Sequence, residues 1–220
     1  GKKIATLNGD IITSMRTGAA SGIATKVLSR KNADTLAIFG TGVQAISQIE
    51  YIMHVRSIKR IFVYGRNLIS SKKFAKNISK NLNIDVNIGK NDDLSKIDII
   101  STVTPSKNPL FDHESLKPGV HINAIGSFKR SMVEIPVETI ISSNVFVDSV
   151  EACKEEAGDL INASENSDWT FNDVFCEVGD IINNRSAYKQ NSKKITLFKS
   201  VGIGIQDLVM SELILDKLGN

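Results

Sequence analysis

The sequence predicts an α/β fold, a doubly wound and mostly parallel sheet covered by helices, because strand-like and helix-like segments alternate along it. The predicted strands recur at intervals of about 15 to 25 residues, and a parallel crossover needs about a dozen residues or more. A glycine turn, Gly40-Thr41-Gly42, joins the first predicted strand to a helix. Together these observations indicate βαβ units that share one sheet.

Each element is predicted from its apolar pattern and its flanking turn residues. Short apolar segments predict strands at residues 36–39, 60–64, 84–88, 97–102, 120–124 and 144–147, and residues 195–198 are a further apolar segment. Apolar residues at helical spacing predict helices at 13–28, 44–53, 70–82, 150–157, 171–182 and 201–218. Residues 162–170 are predicted to form a polar loop. The last helix should begin irregularly, because Gly202 and Gly204 lie in its first turn.

The composition is that of an ordinary globular protein. The 220 residues are 41% hydrophobic and 23% charged, which suits one domain, or one domain plus part of another. A net charge of +3 is too small to indicate a nucleic-acid partner, and no apolar run approaches the length of a membrane span. Cys153 and Cys176 lack metal-ligand spacing, and free thiols fit a reducing compartment. We therefore expect a soluble cytoplasmic protein that binds neither nucleic acid nor membrane.

The glycine turn has the residue types that a dinucleotide pyrophosphate requires. Gly40 suits a tight turn, Gly42 allows close approach of a ligand to the backbone, and Ala45 suits close packing of helix on strand. The turn follows a predicted strand and opens a predicted helix, which is the context that this motif needs. The alternative is a tight turn that binds no ligand. The context favours a dinucleotide site.

The end of the second predicted strand indicates which dinucleotide binds. An acidic residue there would hold the ribose 2′-hydroxyl of NAD, whereas an arginine accommodates the 2′-phosphate of NADP. This chain has Gly65-Arg66-Asn67 and no acid at that place. NADP(H) is therefore favoured and NAD(H) remains possible, the alternative role of Arg66 being that of an ordinary surface residue.

Other polar residues are expected to have structural roles. We expect no metal site, because the histidines lack ligand spacing: His54, His113 and His121. A cluster of acidic residues after the sixth strand is expected to cap a helix and to form surface charge: Asp148, Glu155, Glu156 and Asp159.

Six segments, in order, together resemble the ornithine cyclodeaminase/μ-crystallin family. They are MRTGAASGIATKVL from Met15, IFGTGVQA from Ile38, STVTPS from Ser101, GVHINAIGS from Gly119, VFVDSVEACKEEAGDL from Val145 and LFKSVGIGIQDL from Leu197. The resemblance implies a Rossmann-type NAD(P)-binding domain at residues 31–196. It also implies that residues 1–30 are a remnant of a substrate and dimerisation domain, to which the C-terminal helix at 197–220 returns. Most of the family's N-terminal region is expected to be missing, and a homodimer is expected when that region is present.

The resemblance also implies the site residues. Arg16 matches the arginine that binds the substrate carboxylate. The cofactor would be bound by residues of the glycine turn, of the turn after the second strand and of three later segments: Gly40, Thr41, Gly42, Val43, Gln44, Arg66, Asn67, Thr102, Val103, Thr104, Asn123, Ile125, Gly126, Ser127, Ser200 and Val201. Glu134 matches a family glutamate with an expected structural role. No catalytic residue is assigned.

Phe128 departs from part of the family. Cyclodeaminases and alanine dehydrogenases of the family have an aspartate at this place, and a phenyl ring cannot pair with a substrate ammonium as a carboxylate does. The resemblance therefore favours an NAD(P)H-dependent ketimine or imine reductase acting on a small amino or imino acid. Ornithine cyclodeaminase and alanine dehydrogenase are the enzymatic alternatives. A non-catalytic NADP(H)-binding protein is the alternative of another class.

Overall fold

The structure, a computed structural model, describes residues 3–184, 187–191 and 193–219. Within these residues it contains eight strands: β1 (Thr35–Phe39), β2 (Arg60–Tyr64), β3 (Asp85–Ile88), β4 (Ile99–Thr102), β5 (His121–Ala124), β6 (Ser143–Val147), β7 (Val174–Glu177) and β8 (Ile195–Lys199). The helices are α1 (Gly9–Leu28), α2 (Val43–Val55), α3 (Leu68–Leu82), α4 (Val137–Ile141), α5 (Val150–Glu156), α6 (Gly158–Asn166), α7 (Val178–Ile182) and α8 (Gly204–Lys217). Short 3₁₀ turns lie at Asn91–Lys96, His113–Ser115 and Phe171–Asp173.

The strands form one sheet in the order β3-β2-β1-β4-β5-β8-β6-β7, and the neighbouring strands pair in parallel. The predicted doubly wound α/β fold is confirmed, and each predicted strand lies within two residues of its observed bounds. The order of the strands reverses between β1 and β4. In open parallel sheets this reversal opens a crevice at the carboxyl ends of the strands, where ligands bind.

The central strands are apolar because both faces of the sheet are covered. All residues of β1, β4, β5 and β8 are buried, as expected for a parallel sheet packed between layers of helices. Helix α1 packs closely on α2, where small residues let the two backbones approach. A Cβ at Gly22 would lie 3.1 Å from the carbonyl oxygen of Tyr51, and one at Gly18 would overlap Ser47.

The carboxyl end of α1 is held by a buried guanidinium. Arg56, the residue after α2, donates from Nη2 to the carbonyl oxygens of Thr25, Lys26 and Ser29, each at 2.9 Å. The guanidinium thereby supplies donors at the helix end, where the intrahelical donors run out. Burial lowers the pKa of Arg56 from its usual value. The contact fixes α1, which carries Arg16, against the helix that follows the glycine turn.

Two of the predicted elements after β6 are wrong in part. Residues 171–182, predicted as one helix, form a 3₁₀ turn, strand β7 and the short helix α7. Val174, Phe175 and Cys176 are residue types that favour strands, and β7 takes the open edge beside β6. Most of the predicted loop at 162–170 belongs to α6, whose buried Leu160 and Ala163 are part of the apolar core on one face of the sheet.

The C-terminal helix begins at Gly204 and not at Val201. Gly202 has a φ of +87°, a left-handed conformation that interrupts a helix, so the beginning is irregular as predicted. Helix α8 packs against α1 and leaves several large apolar side chains exposed: Ile205, Leu208, Val209 and Leu213. Among the described residues, no helix combines the length and apolar character that crossing a bilayer requires.

Candidate functional site

The glycine turn lies at the carboxyl end of β1, beside β4. Gly40 has a φ of +117°, and a Cβ there would lie 2.9 Å from the carbonyl oxygen of Val103. Its amide donates to the carbonyl oxygen of Tyr64 at 2.9 Å. Both the conformation and the close approach exclude a larger residue, so the turn requires glycine at this position.

Gly42 is the N-cap of α2 and faces open space. No atom lies within 4 Å of the position that its Cβ would take, and no side chain caps the helix. The Ala45 amide donates to the carbonyl oxygen of Gly42 at 3.1 Å. The amides of Val43 and Gln44, in the first turn of this 13-residue helix, are therefore the ones available to an anion, as at other helix N-termini. Ala45 is fully buried against the sheet. Gly42 and Val43 are exposed, whereas Thr41 and Gln44 are half-buried.

The turn after β2 lies next to the glycine turn. A Cβ at Gly65 would be 3.3 Å from Cγ2 of Thr41, so the two turns are in contact range. Arg66 and Asn67 follow and are exposed. The Asn67 side chain caps α3 by accepting from the amide of Ser70 at 3.0 Å. Arg66 thus lies at the same edge of the sheet as the exposed end of α2.

A cleft of about 400 Å³ opens at this edge, between α1 and the loops after β4, β5 and β8. It brings together many of the predicted site residues: Arg16, Gln44, Val103, Thr104, Ile125, Gly126, Phe128, Ser200 and Val201. Thr13, Thr17 and Pro105 complete the lining. The wall is mostly apolar, and of the described residues that line it, Arg16 carries the single charge. Such a cleft can hold an apolar ligand that has one carboxylate.

Arg16 projects from α1 into the cleft and is partly held by α8. Its Nη1 donates to Oε1 of Gln206 at 3.2 Å, and its Nε lies 3.4 Å from Oδ1 of Asp207, an ion pair without hydrogen-bond geometry. The side chain is 14% exposed. The planar guanidinium has donors to spare, which suits bidentate binding of a carboxylate.

Phe128 lies on the loop after β5, at the rim of the cleft. It is 45% exposed, and the ammonium nitrogen of Lys129 lies 5.7 Å from the centre of its ring. At this point of the rim the chain therefore presents an aromatic face and no carboxylate.

Three of the predicted cofactor residues are buried below the cleft. The Thr102 hydroxyl donates to Glu134 at 2.7 Å, the Asn123 amide donates to Thr25 Oγ1 at 2.9 Å, and the Ser127 hydroxyl donates to the carbonyl oxygen of Met132 at 2.7 Å. These three side chains therefore bond within the protein, and it is their chain neighbours Val103, Thr104, Ile125 and Gly126 that line the cleft.

Glu134 connects the loops after β4 and β5. One carboxylate oxygen accepts from the amide and the hydroxyl of Thr104, at 2.6 and 2.8 Å. The other accepts from the Thr102 hydroxyl and from the amide of Gly126, at 2.7 and 2.8 Å. Burial and the neighbouring Asp159 raise the pKa of Glu134. The expected structural role fits these contacts, which fix the distance between two walls of the cleft.

The expectation for the acidic cluster is wrong for two of its members. Asp159 is fully buried, and its carboxylate pairs with Lys199 at 2.9 Å and accepts from the amides of Glu134 and Ile135. Asp148 is half-buried and accepts hydrogen bonds from the segment after β8. Sequence reasoning missed these roles because the partners are 24 to 54 residues away in the chain. Glu155 and Glu156 are exposed, as expected.

The His121 imidazole is fully buried in the core. Its two ring nitrogens contact Thr196 Oγ1 at 2.9 Å and Asn123 Oδ1 at 3.2 Å. Burial lowers the pKa of His121 to about 3, so the ring is neutral at physiological pH. Its role is structural. In the described part of the chain, no group of three or more His, Cys, Asp or Glu residues is placed to hold a metal ion.

Comparison with known proteins identifies the family. The sequence model of the ornithine cyclodeaminase/mu-crystallin family matches residues 1–220. The chain belongs to this family. It is 39% identical over 220 residues to the Δ1-pyrroline-2-carboxylate reductase of Bacillus thuringiensis subsp. konkukian, covering 99% of this chain and 67% of that protein. It is 33% identical over 216 residues to the mouse ketimine reductase mu-crystallin, covering 98% and 66%.

A solved structure of the same family superposes on the described fold. It is that of Thermococcus litoralis Δ1-pyrroline-2-carboxylate reductase in complex with NADH and L-proline, with a TM-score of 0.91 and 36% identity. The match covers 95% of this chain and 65% of that one. The chain thus spans about two thirds of the length of the family members that it matches.

Proposed function

We propose that the chain is an NAD(P)H-dependent reductase of a small ketimine carboxylate, a cyclic imine of the Δ1-pyrroline-2-carboxylate type being the preferred substrate. The observation that carries this proposal is the cleft, in which one arginine faces apolar walls beside an uncapped helix N-terminus. The proposal is supported by the similarity to a Δ1-pyrroline-2-carboxylate reductase and to a ketimine reductase, and by the related structure that holds NADH and L-proline.

The dinucleotide would lie across the glycine turn. Gly42 and the first-turn amides of α2 would bind the pyrophosphate, since a ligand can approach this backbone closely. Arg66 would bind a 2′-phosphate, and for this reason we propose NADP(H) as the preferred cofactor. When bound, the nicotinamide would supply the hydride that reduces the imine carbon, and the imine nitrogen would take its proton from solvent.

The protein's own residues would bind and orient the substrate. Arg16 would hold the carboxylate next to the imine carbon, so that one face of the planar C=N group points to the cofactor side of the cleft. Val103, Ile125 and Val201 would exclude water from that side. Phe128 would pack on the apolar ring of a cyclic imine, and this residue favours reduction over cyclodeamination of a diamino acid.

The proposal is tested with the purified chain by nicotinamide fluorescence and turnover. NADPH should bind more tightly than NADH, and Δ1-pyrroline-2-carboxylate should be reduced to proline with consumption of the cofactor. Release of ammonia from ornithine would instead identify a cyclodeaminase, and pyruvate formation from alanine an alanine dehydrogenase. Tight binding of NADPH without turnover of any of these substrates would refute the proposed reaction for this chain and favour a non-catalytic NADP(H)-binding role.

We further propose that the protein forms a homodimer when the N-terminal region implied by the resemblance is present, and that the face of α8 takes part in the contacts. Its exposed apolar side chains, among them Leu208, Val209 and Leu213, support an interface, because apolar patches of this kind commonly mark interaction sites. Analytical ultracentrifugation of a protein that includes this region tests the proposal. Replacement of Leu208 by Glu should shift the mass to that of a monomer, and a wild type that sediments as a monomer would refute the proposal.

A further inference from the structure

One carboxylate organises the segment that follows β8. Asp148 comes directly after β6, and its Oδ2 accepts three hydrogen bonds from this segment. The donors are the Ser200 hydroxyl at 2.7 Å and the amides of Val201 and Gly202 at 3.1 and 2.8 Å. Its Oδ1 accepts from the amide of Ser149 at 2.9 Å. Hydrogen bonds to an ionised carboxylate are stronger than neutral ones, so Asp148 fixes the backbone of this segment.

The same segment lies against the guanidinium of Arg16. A Cβ placed on Gly202 would overlap both Nη atoms and Cζ of that side chain, so the Gly202 backbone packs directly on the group. Gly202 also needs its left-handed φ of +87° to turn the chain here. Arg16 also contacts Gln206 and Asp207 of α8. The position of the guanidinium therefore depends on where the Gly202 backbone lies.

We propose that Asp148 is a positioning residue, which holds Ser200, Val201 and Gly202 in place and through Gly202 sets the position of Arg16 for a substrate carboxylate. The inference rests on the proposed function in one respect, namely that Arg16 binds the carboxylate. Asp148 does not line the cleft, so its effect on binding passes through the segment after β8. Neither the resemblance to the family nor the composition of the cleft indicates this role.

Variants of Asp148 and its neighbours separate positioning from general stability. In Asp148→Ala the three donors lose their acceptor, whereas in Asp148→Asn an amide oxygen can still accept from them. Ser149→Ala is the matched control. The Ser149 hydroxyl, next to Asp148 in the chain, caps α5 by accepting from the Ala152 amide at 3.3 Å, whereas the hydrogen bonds of residues 200–202 described above go to Asp148. In Gly202→Ala the added Cβ displaces the Arg16 guanidinium directly. This variant tests the contact between Gly202 and Arg16 even if Asp148→Ala fails to fold.

The first measurement is amide hydrogen exchange in the full chain. The amides of Val201 and Gly202 should exchange at least tenfold faster in Asp148→Ala than in the wild type, and at the wild-type rate in Ser149→Ala. The second measurement is the affinity for L-proline in the presence of NADH, followed by nicotinamide fluorescence. The Kd for L-proline should rise at least tenfold in Asp148→Ala and in Gly202→Ala, and less than threefold in Asp148→Asn and Ser149→Ala. The Kd for NADH should change less than threefold in Asp148→Asn and Ser149→Ala, in which the contacts of residues 200–202 are kept.

A double-mutant cycle shows whether the effect passes through Arg16. In an Arg16→Lys background, Asp148→Ala should weaken L-proline binding by less than threefold further, because the group that it positions is already absent. Equal effects in both backgrounds would overturn the inference, as would unchanged L-proline binding in Asp148→Ala or a wild type that binds no L-proline. A wild type that binds L-proline as described but reduces no imine would refute the proposed function, and the positioning role would stand.

Discussion

The ion pair between Lys199 and Asp159 lies beneath the cleft and is fully removed from solvent. Lys199 Nζ lies 2.9 Å from Asp159 Oδ2, and both side chains are 0% exposed. We consider the substitution Lys199→Met, which keeps an unbranched side chain of similar length and removes the charge. Asp159 would then remain buried with two backbone amides as its hydrogen-bond donors.

The expected cost follows from the burial of the pair. Removing one partner of a buried ion pair leaves the other charge uncompensated and typically costs about 3–5 kcal/mol. Since the free energy of unfolding of a domain is about 5–15 kcal/mol, this loss would be a large part of the total. The exposed pair of Arg130 and Glu165 gives the comparison. Its side chains are 61% and 60% exposed at a distance of 3.1 Å, and Arg130→Met should cost less than about 1 kcal/mol.

Urea unfolding, followed by circular dichroism at pH 7, measures both variants. Lys199→Met should lower the midpoint strongly at an unchanged m-value, and Arg130→Met should leave the midpoint close to that of the wild type. Adding Asp159→Asn to Lys199→Met should lower the free energy of unfolding by less than Asp159→Asn does in the wild type, because it removes the unpaired charge that Lys199→Met leaves. If the free energy of unfolding of Lys199→Met fell by less than about 1 kcal/mol, this would refute the reasoning that the buried Asp159 carboxylate depends on Lys199 for its compensation.

Three further predictions follow from the site and the core. Arg66→Ala should weaken NADPH binding about tenfold or more in a fluorescence titration and leave NADH binding unchanged, because a charge-assisted hydrogen bond contributes about 1.5–3 kcal/mol. Gly40→Ala should lower the free energy of unfolding by about 1–3 kcal/mol because of backbone strain, whereas Gly42→Ala should keep it and weaken dinucleotide binding. His121 should make unfolding easier in acid. Its folded pKa of about 3 lies below the unfolded value of 6.5, so stability falls as the pH drops below 6.5, by about 2 kcal/mol at pH 5.

Each of these predictions has a control. Arg60, exposed at the opposite end of β2, should tolerate replacement by Ala without loss of NADPH binding, and equal losses in both variants would contradict the role of Arg66. An unfolding free energy of Gly40→Ala equal to that of Gly42→Ala would contradict the strain at Gly40. For His121, the decrease in stability between pH 7.5 and pH 5 should be about 2 kcal/mol smaller in His121→Gln. An equal decrease would show that this imidazole does not titrate as its burial requires.

The glycine turn and the succession of strands and helices were predictable from the sequence because they depend on neighbouring residues. A short apolar strand, a turn that needs glycine and a helix that follows it are all encoded within about a dozen positions. The prediction failed where a neighbouring strand decided the outcome. Residues 174–177 have apolar side chains at a spacing that also fits a helix, and the free edge of β6 made them a strand.

The roles of the polar residues around the cleft were decided by the tertiary structure. Arg16, Gly40 and Arg66 could be assigned as candidate site residues from local motifs and from the resemblance to the family. By contrast, Asp159 is indistinguishable in the sequence from an exposed acidic residue, and it became a buried partner of Lys199 because α6 packs at the end of β8.

The α/β fold, the family and the dinucleotide motif could thus be derived from the residues alone, since they depend on short-range patterns of residue type. The burial of particular acidic groups, and the hydrogen bonds by which Asp148 holds the segment packed against Arg16, became visible in the folded structure. The physical reason is that an ion pair or a hydrogen bond depends on distance in space, and residues 148 and 202 approach each other only when β6 and β8 pair in the sheet.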